Sequence, residues 1–429
     1  MFVGIDFGTT NSALAVADNA GKVELARYEV AGIGYDTVRS VLYFDPDARV
    51  DGHPAPPAVG MAAINAYLAC DGRGRFIQSI KSHMASRTFI STNIFNRVYK
   101  LEQLVAHIVA ALRQGAGREL PKRAVVGRPV HFVNDDADAE GDALGEERLR
   151  RAFASAGFDE VRFELEPVAA AYGYEQRLDR DELVLIADFG GGTTDLCLID
   201  VGPGVRARAK AGERRSVRAS DGVALAGDAF DQRIIKHAIA PRLGLGTRYK
   251  TFGGDADVPL WIYNSLSRWH LLSFLKSTKT MQLLEDILEN AYATAEIETL
   301  YRIVDEDLGY ALHRAVEHAK VELSSAKATV IDFQPAGLRL EVTRAELERW
   351  IAPDLAAIAE ATDRVLARAK LEAGAVDRVF MTGGTSLVPA VRKLFTDRFG
   401  AEKVRGGEEM TTVGRGLALV ARDVFGGAR

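Results

Sequence analysis

Two stretches of the chain share one order of apolar and polar positions: Phe2–Asp18, FVGIDFGTTNSALAVAD, and Leu185–Asp200, LIADFGGGTTDLCLID. Each is an apolar run ending in Asp and one further apolar residue, then glycine and threonine, then a second apolar run. Two buried strands joined by a tight turn have this pattern, so each stretch predicts a hairpin. After the first hairpin, Lys22–Val30 predicts a third strand, and the Pro, Asp and Gly of Asp45–Pro57 predict a surface excursion. Leu101–Leu120 carries Leu104, Val105, Ile108 and Leu112 at helical spacing and leads into a strand over Arg123–Phe132. A helix over about 146–156, a strand in Val161–Pro167 and a helix from Val168 close the first half.

The second half repeats that plan. Trp261–Ser324 is mostly apolar at helical spacing and predicts a helical subdomain. Short strands over Ala328–Phe333 and Leu338–Val342, a helix from Arg344, a strand in DRVFMTGG and a helix in SLVPAVRKLFTDRF follow, and Thr412–Val424 predicts the last helix. Repetition of hairpin, strand, helix and excursion implies two lobes, each rooted in its own hairpin. A chain of 429 residues also exceeds what one compact core holds.

Composition narrows the classes. The hydrophobic share of 47% and charged share of 26% are those of a globular protein, and the net charge of −5 argues against general affinity for nucleic acid or anionic membranes. The two cysteines, Cys70 and Cys197, fit no metal-ligand spacing and suit a reducing compartment. Met1 leads straight into a strand with no basic n-region, and no apolar run is long enough for a bilayer, so a cytoplasmic protein is expected.

The duplicated turn carries the chemistry. Phosphate groups need inward-aimed backbone N–H donors, which glycine-rich turns supply. Thr9, Thr10, Thr193 and Thr194 add hydroxyls, and Asp6 and Asp188 stand at the strand ends, where carboxylates can hold the waters of Mg²⁺. One Gly-Thr turn alone is an ordinary hairpin connection. Two in the same register, one per half, favour a triphosphate clamped from both sides, with the lobes opening and closing around it. Neither a P-loop nor a G-x-G-x-x-G helix start is present.

Together, GIDFGTTNS, FELEPVAAAYGYE, ADFGGGTTD, AGDAFDQRI, AVEHAKVELSSA and VFMTGGTSLVPAV resemble the ATPase domain of DnaK-type heat-shock chaperones over nearly the whole chain. The chain looks most like the short YegD-like members, which lack a peptide-binding domain. The resemblance implies an α/β, actin-like ATPase fold: two duplicated ribonuclease-H-like lobes, each with an inserted subdomain, around a central nucleotide cleft. Lobe I would span 1–180 (core about 1–37 and 118–180, insert about 38–117), completed by a C-terminal helix at about 405–429. Lobe II would span 181–404 (core about 181–230 and 326–404, helical insert about 231–325).

The resemblance also implies roles at matching positions. Gly8, Thr9, Thr10 and Asn11 would form one phosphate loop, and Gly190, Gly191, Gly192 and Thr193 the other. Asp6, Asp188 and Asp195 would surround the metal and its waters, and either Asp188 or Glu166 would orient the attacking water. Glu317, Lys320 and Ser324 share a helix face that in the family holds ribose and adenine. Gly227, Gly383, Gly384, Thr385 and Ser386 would let the backbone approach the nucleotide. ATP or ADP with Mg²⁺ would be the cofactors, hydrolysed slowly or used as a switch by a monomer with an unidentified protein partner or client.

Two departures bear on rate and affinity. Ile64, in VGMAAINAY, matches a family lysine that reaches the phosphates, which would slow hydrolysis; Lys81 matches a different lysine and is a weak substitute. On that reading, Ile64→Lys raises turnover. Leu387 replaces an arginine that stacks on adenine. The other readings of this fold are a sugar or acid kinase, an actin-like filament protein and a nucleotide-sensing scaffold without turnover.

Other motifs carry less. Asp136, Asp138, Gly141 and Glu147 fall at calcium-loop spacing, but Glu140 replaces the usual Asp or Asn and a strand precedes, so a solvated loop is expected, with Glu146 and Glu147 favouring a helix start. Val205–Ser220 is basic, with Arg206, Arg208 and Lys210 alternating as on one strand face; no aromatic interleaves, so a solvated hairpin is expected. His313 and His318 are five apart, which suits no metal.

Overall fold

A computed structural model of the chain describes residues 1–30, 32–69, 74–132, 139–210, 217–406 and 412–426. In the first half, strands β1 (Phe2–Phe7), β2 (Asn11–Ala17), β3 (Val23–Leu25) and β4 (Val38–Arg39) precede helix α1 (Leu101–Gly115). Strand β5 (Arg123–Arg128), helix α2 (Ala139–Ser155), strand β6 (Glu160–Leu165) and helix α3 (Glu166–Glu175) follow. The second half contains strands β7 (Glu182–Phe189), β8 (Thr194–Val201) and β9 (Val217–Val223), helices α4 (Gly227–Ile234) and α5 (Gly309–Ser325), and strands β10 (Arg378–Thr382) and β11 (Val404–Gly406), before the final helix α6 (Thr412–Gly426).

The two sheets have the same plan. The first runs β3-β2-β1-β5-β6, with β4 on the end of β2, and the second runs β9-β8-β7-β10-β11. In both, the first strand pairs antiparallel with the second (β1 with β2, β7 with β8) and parallel with a strand that returns later in the same half (β1 with β5, β7 with β10). The hairpins therefore lie at equivalent central places, with Asp6 opposite Ala13 and Asp188 opposite Asp195. Central strands must bury both faces, which explains why β1 and β7 read as nearly continuous apolar runs.

Each half has its own core, and a third joins them. Val125 of β5, Val184 and Ile186 of β7, and Cys197 and Ile199 of β8 pack with α3 and α6. The chain's last helix thus packs into its first sheet, against β1, β2 and β5.

The sequence pattern placed most elements and missed several ends. Pro129 follows the last residue of β5; it has no N–H to give a ladder, and the expected strand to Phe132 stops at Arg128. The expected strand over Lys22–Val30 is two, Val23–Leu25 and Tyr28–Val30. Helix α2 starts at Ala139, ahead of the expected 146, so Glu146 and Glu147 sit inside it, paired with Arg150 and Arg151, and do not form its first turn. The same helix contains Gly141 and Glu147, so the described part of the calcium-loop pattern is helical; Asp136 and Asp138 lie outside the described residues. The expected basic hairpin over Val205–Ser220 is also corrected. Pro203–Lys210 is a helix, so residues 206, 208 and 210 do not share a strand face; Arg206 donates to Gln176 and Arg208 pairs with Asp181. His313 is buried against the Leu266 carbonyl, while His318 faces Glu322. Cys197 is buried and Cys70 lies outside the described residues. Among the described residues, no helix is long and apolar enough to cross a membrane.

Candidate nucleotide and phosphate site

A cleft of about 380 Å³ lies between the ends of the two sheets. Its size suits a small ligand. Asp6, Gly8, Thr9, Thr10 and Asn11 line it from the first hairpin, and Asp188, Gly190, Gly191, Gly192, Thr193 and Asp195 from the second. Glu166, Gly227, Glu317, Lys320, Ser324, Gly383, Gly384 and Thr385 complete it from the elements around.

The two hairpin turns meet. A Cβ on Gly191 would lie 2.2 Å from the Thr10 hydroxyl, so only glycine lets the loops approach this closely. A Cβ on Gly8 would lie 2.2 Å from the Asn11 carbonyl inside its own turn. Neither glycine adopts a left-handed φ. Their role is close approach, not the unusual dihedral that the glycines first suggest. The first turn is braced by Gly8 N donating to Ser12 Oγ (3.2 Å) and by Ser12 against Ser40 (2.8 Å); the second closes through Gly190 N donating to the Thr193 carbonyl (2.9 Å).

The chain matches the family model described as Hsp70 protein over residues 2–242 and 287–428. The chain belongs to the Hsp70 family. It is 27% identical over 437 residues to a chaperone protein DnaK from Thermosipho africanus (strain TCF52B), a match that covers 99% of this chain and 59% of that protein. This Hsp70-family chain therefore spans a little under two thirds of that relative's length. The actin-like fold expected from the resemblance follows with the family.

Two residues expected at the site turn elsewhere. Ser386 is buried and donates to the Gly383 carbonyl (2.6 Å), and Thr194 is buried and donates to the Leu225 carbonyl (2.6 Å). Ser386 satisfies the backbone of its own turn, a common use of short hydroxyl side chains, whereas Thr194 ties the second hairpin to the segment that precedes α4.

The expectations for Ile64 and Lys81 are reversed. Ile64 is buried among Val41, Tyr43, Ala63 and Tyr67 and does not line the main cleft. Lys81, on a 3₁₀ turn over Ile80–His83, enters the cleft and bonds Glu166 at 2.6 Å, with both side chains largely buried. A cation therefore stands at the carboxylate end of the site, and Lys81 is no weak substitute. Leu387 does line the cleft and is 45% exposed. Arg39 and His131 line it as well and carried no motif, and only the fold brings them there; Asp228, within AGDAFDQRI but assigned no role, lines it too.

The carboxylates explain what this end needs. Burial first, then Glu166 and Asp188, pushes Asp6 up to about 8, against the pull of Lys81. Burial, Asp188 and Glu166 push Asp195 up to about 7, partly opposed by a hydrogen bond from Thr193 and by Lys81. Burial also raises Asp188, opposed by the Thr382 hydroxyl, which donates to it at 2.6 Å. Burial works to lower Lys81, but Glu166 and Asp6 outweigh it and raise it. Asp6, Asp188 and Asp195 share one lysine, a donor set short of positive charge; Asp6 and Asp188 are half-buried and Asp195 is open to the cleft. Among the described residues no three acidic, imidazole or thiol groups are placed to ligate one ion directly.

The sign of the pH response follows. Asp6 and Asp195 have folded values above their ordinary 3.8. Their protonated forms favour the folded state, so the stability they contribute is complete at low pH and is lost as pH rises through about 7 to 8. The thermal midpoint of the free protein is expected to fall between about pH 5 and pH 8, and saturating Mg-ADP to remove most of the fall. Differential scanning fluorimetry across that range checks it; a midpoint rising with pH in the free protein contradicts it.

Proposed function

We propose that this chain binds Mg-ATP in the interlobe cleft and acts as a slow ATPase or nucleotide switch with a chaperone-like role. The single observation that carries the reading is the meeting of Gly191 with Thr10: two phosphate-type turns, one per lobe, stand across from each other beside the carboxylates of Asp6, Asp188 and Asp195 and the ammonium of Lys81. Proteins of the Hsp70 family bind ATP and ADP with Mg²⁺, and the chain's membership supports the same ligands here. Lobe I would comprise residues 1–180 with the C-terminal helix, and lobe II residues 181–404.

Within this reading, backbone N–H groups of 9–11 and 191–193 bind the phosphates, and Asp6, Asp188 and Asp195 hold the hydrated ion. Mg²⁺, when bound, neutralises charge on the phosphate oxygens. Lys81 adds fixed positive charge where the terminal phosphate develops negative charge, and Glu166 orients Lys81. Asp188, held by Thr382, and Glu166 are the groups that can accept a proton from the attacking water. Glu317, Lys320 and Ser324 take the ribose side. A cytoplasmic monomer with a protein partner or client completes the proposal.

Isothermal titration with Mg-ATP and Mg-ADP, paired with single-turnover release of phosphate, tests it. Absence of nucleotide binding refutes the reading; turnover that requires one small hydroxylated substrate replaces it with a kinase.

Arg39 of β4 and Glu317 of α5 form an ion pair at 3.1 Å across the cleft, 278 residues apart in sequence. Both side chains are partly exposed, so solvent screening limits the pair to about 0.5–1 kcal/mol. Arg39→Ala is expected to speed ADP release about twofold to fivefold, measured with a fluorescent ADP analogue by stopped flow. An unchanged rate removes the pair from the control of release.

A further inference from the structure

We propose that His131 and Asp142 form a phosphate-contacting dyad that holds the terminal phosphate, and after hydrolysis the free orthophosphate, at the carboxylate end of the cleft. The proposal rests on the nucleotide reading above and adds to it a residue that no motif indicated.

His131 follows β5 in a short connection with little freedom. Arg128 donates to the carbonyls of Pro129 (3.1 Å) and Val130 (3.0 Å) and pairs with Glu146 of α2 (3.3 Å). Phe132 anchors the other side, 2% exposed, in the first core. Asp142, in the first turn of α2, binds both neighbours at once. Its Oδ1 accepts the Phe132 backbone N–H at 2.8 Å, and its Oδ2 meets His131 Nδ1 at 2.8 Å. A carboxylate on Nδ1 fixes the orientation of an imidazole and leaves Nε2 to act on something else.

The ring is positioned to act on a ligand. Asp142 is 14% exposed, whereas the His131 side chain is 57% exposed and lines the same cleft as Lys81, Ser82, Glu166 and Gly190–Thr193. A histidine kept only for packing would be covered; this one is fixed at its back and open at its front.

Charge decides the ligand class. Asp142 touches the ring directly, and the Arg128–Glu146 pair stands on the adjoining elements. Elsewhere in the cleft stand Lys81 with Glu166, and the carboxylates of Asp6, Asp188 and Asp195. The carboxylates repel a bare anion, so a phosphate at this end must draw on the donors the cleft offers, Lys81 and the free ring nitrogen of His131. A phosphate oxygen accepts from Nε2–H, a charge-assisted bond of the stronger kind. In this role His131 binds and retains phosphate; no covalent step is assigned to it.

The test titrates inorganic phosphate into the full chain saturated with Mg-ADP, followed calorimetrically at about pH 6 and about pH 8. His131→Gln is expected to lower phosphate affinity about tenfold at the lower pH and about twofold or less at the higher, with ADP affinity unchanged. Phosphate itself titrates in this range, so the readout is the difference between wild type and variant, which share that titration. Asp142→Ala, which frees the ring, is expected to give an intermediate loss. Equal phosphate affinity and equal pH profiles in wild type and His131→Gln overturn the proposal. So does loss of ADP binding in the variant alone, which would give His131 a general role in the cleft. Failure of the wild type to bind ADP overturns the nucleotide reading instead, so the two failures are distinguishable.

Discussion

Lys81→Met lowers single-turnover ATP hydrolysis by about 10²- to 10³-fold while Mg-ADP binds with near-normal affinity. Lys81 is the cation that acts on all three cleft aspartates, and its bond to Glu166 fixes where its charge stands. A preformed positive charge in a buried site costs no reorganisation as the terminal phosphate departs, which is why its loss falls on the rate more than on binding. Methionine keeps the length and apolar stem of the side chain and removes only the charge. It also leaves Glu166 buried without its cation and pushes Asp6 and Asp195 further up. A stability loss of about 3 kcal/mol should therefore accompany the kinetic effect, and the melting midpoint must be recorded beside the rate. Ile64→Lys is the counter-experiment. It places a lysine in an apolar cluster that borders a smaller pocket beside Arg39 and Glu317, outside the main cleft of Asp6, Asp188 and Asp195, so it should reduce stability and leave turnover without the gain that the sequence alone suggested. Quench-flow with labelled ATP reads both variants. A Lys81→Met protein that hydrolyses ATP at the wild-type rate sinks the assignment.

Gly416→Ala abolishes the native fold or costs about 3 kcal/mol or more. Helix α6 is pressed between α3 and β1 with no room at two backbone contacts. A Cβ on Gly416 would lie 1.8 Å from the Ala169 carbonyl oxygen, and one on Gly4 would lie 2.1 Å from the Ala418 nitrogen. Backbone cannot step aside as a flexible side chain can, so the helix must move out of the shared core and release Leu417 and Ala421, both fully buried. Gly414→Ala, in the same helix, is the control. Its Cβ would meet Ala13 Cβ at 3.6 Å, an ordinary contact, and replacing a helical glycine should be neutral or stabilising by up to about 1 kcal/mol. Chemical denaturation of the two variants gives the comparison; equal stabilities would show that α6 is not packed as described.

The strands, the duplicated hairpin and most helices were legible because periodicity and turn residues are local signals. The facing Gly-Thr turns were legible for the same reason, since Asp, Gly and Thr stand within a few residues of one another. Ile64 and Lys81 were misjudged because matching one short segment cannot tell which of two lysine positions folds toward the cleft. Ile64 sits on a helix packed in an apolar cluster, while Lys81 sits on a 3₁₀ turn beside Glu166, 85 residues away. Arg39 and His131 gave no signal at all. Their partners, Glu317 and Asp142, are distant in sequence or lie in another element, and a single charged or imidazole side chain carries no pattern.

The sequence by itself determined that this chain would build one sheet plan twice, because the alternation of apolar runs and Gly-Thr turns is a local, repeated instruction. Tertiary structure decided which charges meet: Lys81 with Asp6 and Glu166, Arg39 with Glu317, and Asp142 behind His131. The physical reason is that backbone propensity acts over a few residues. The electrostatic state of a side chain depends on burial and on neighbours that only the packing of two lobes brings within reach.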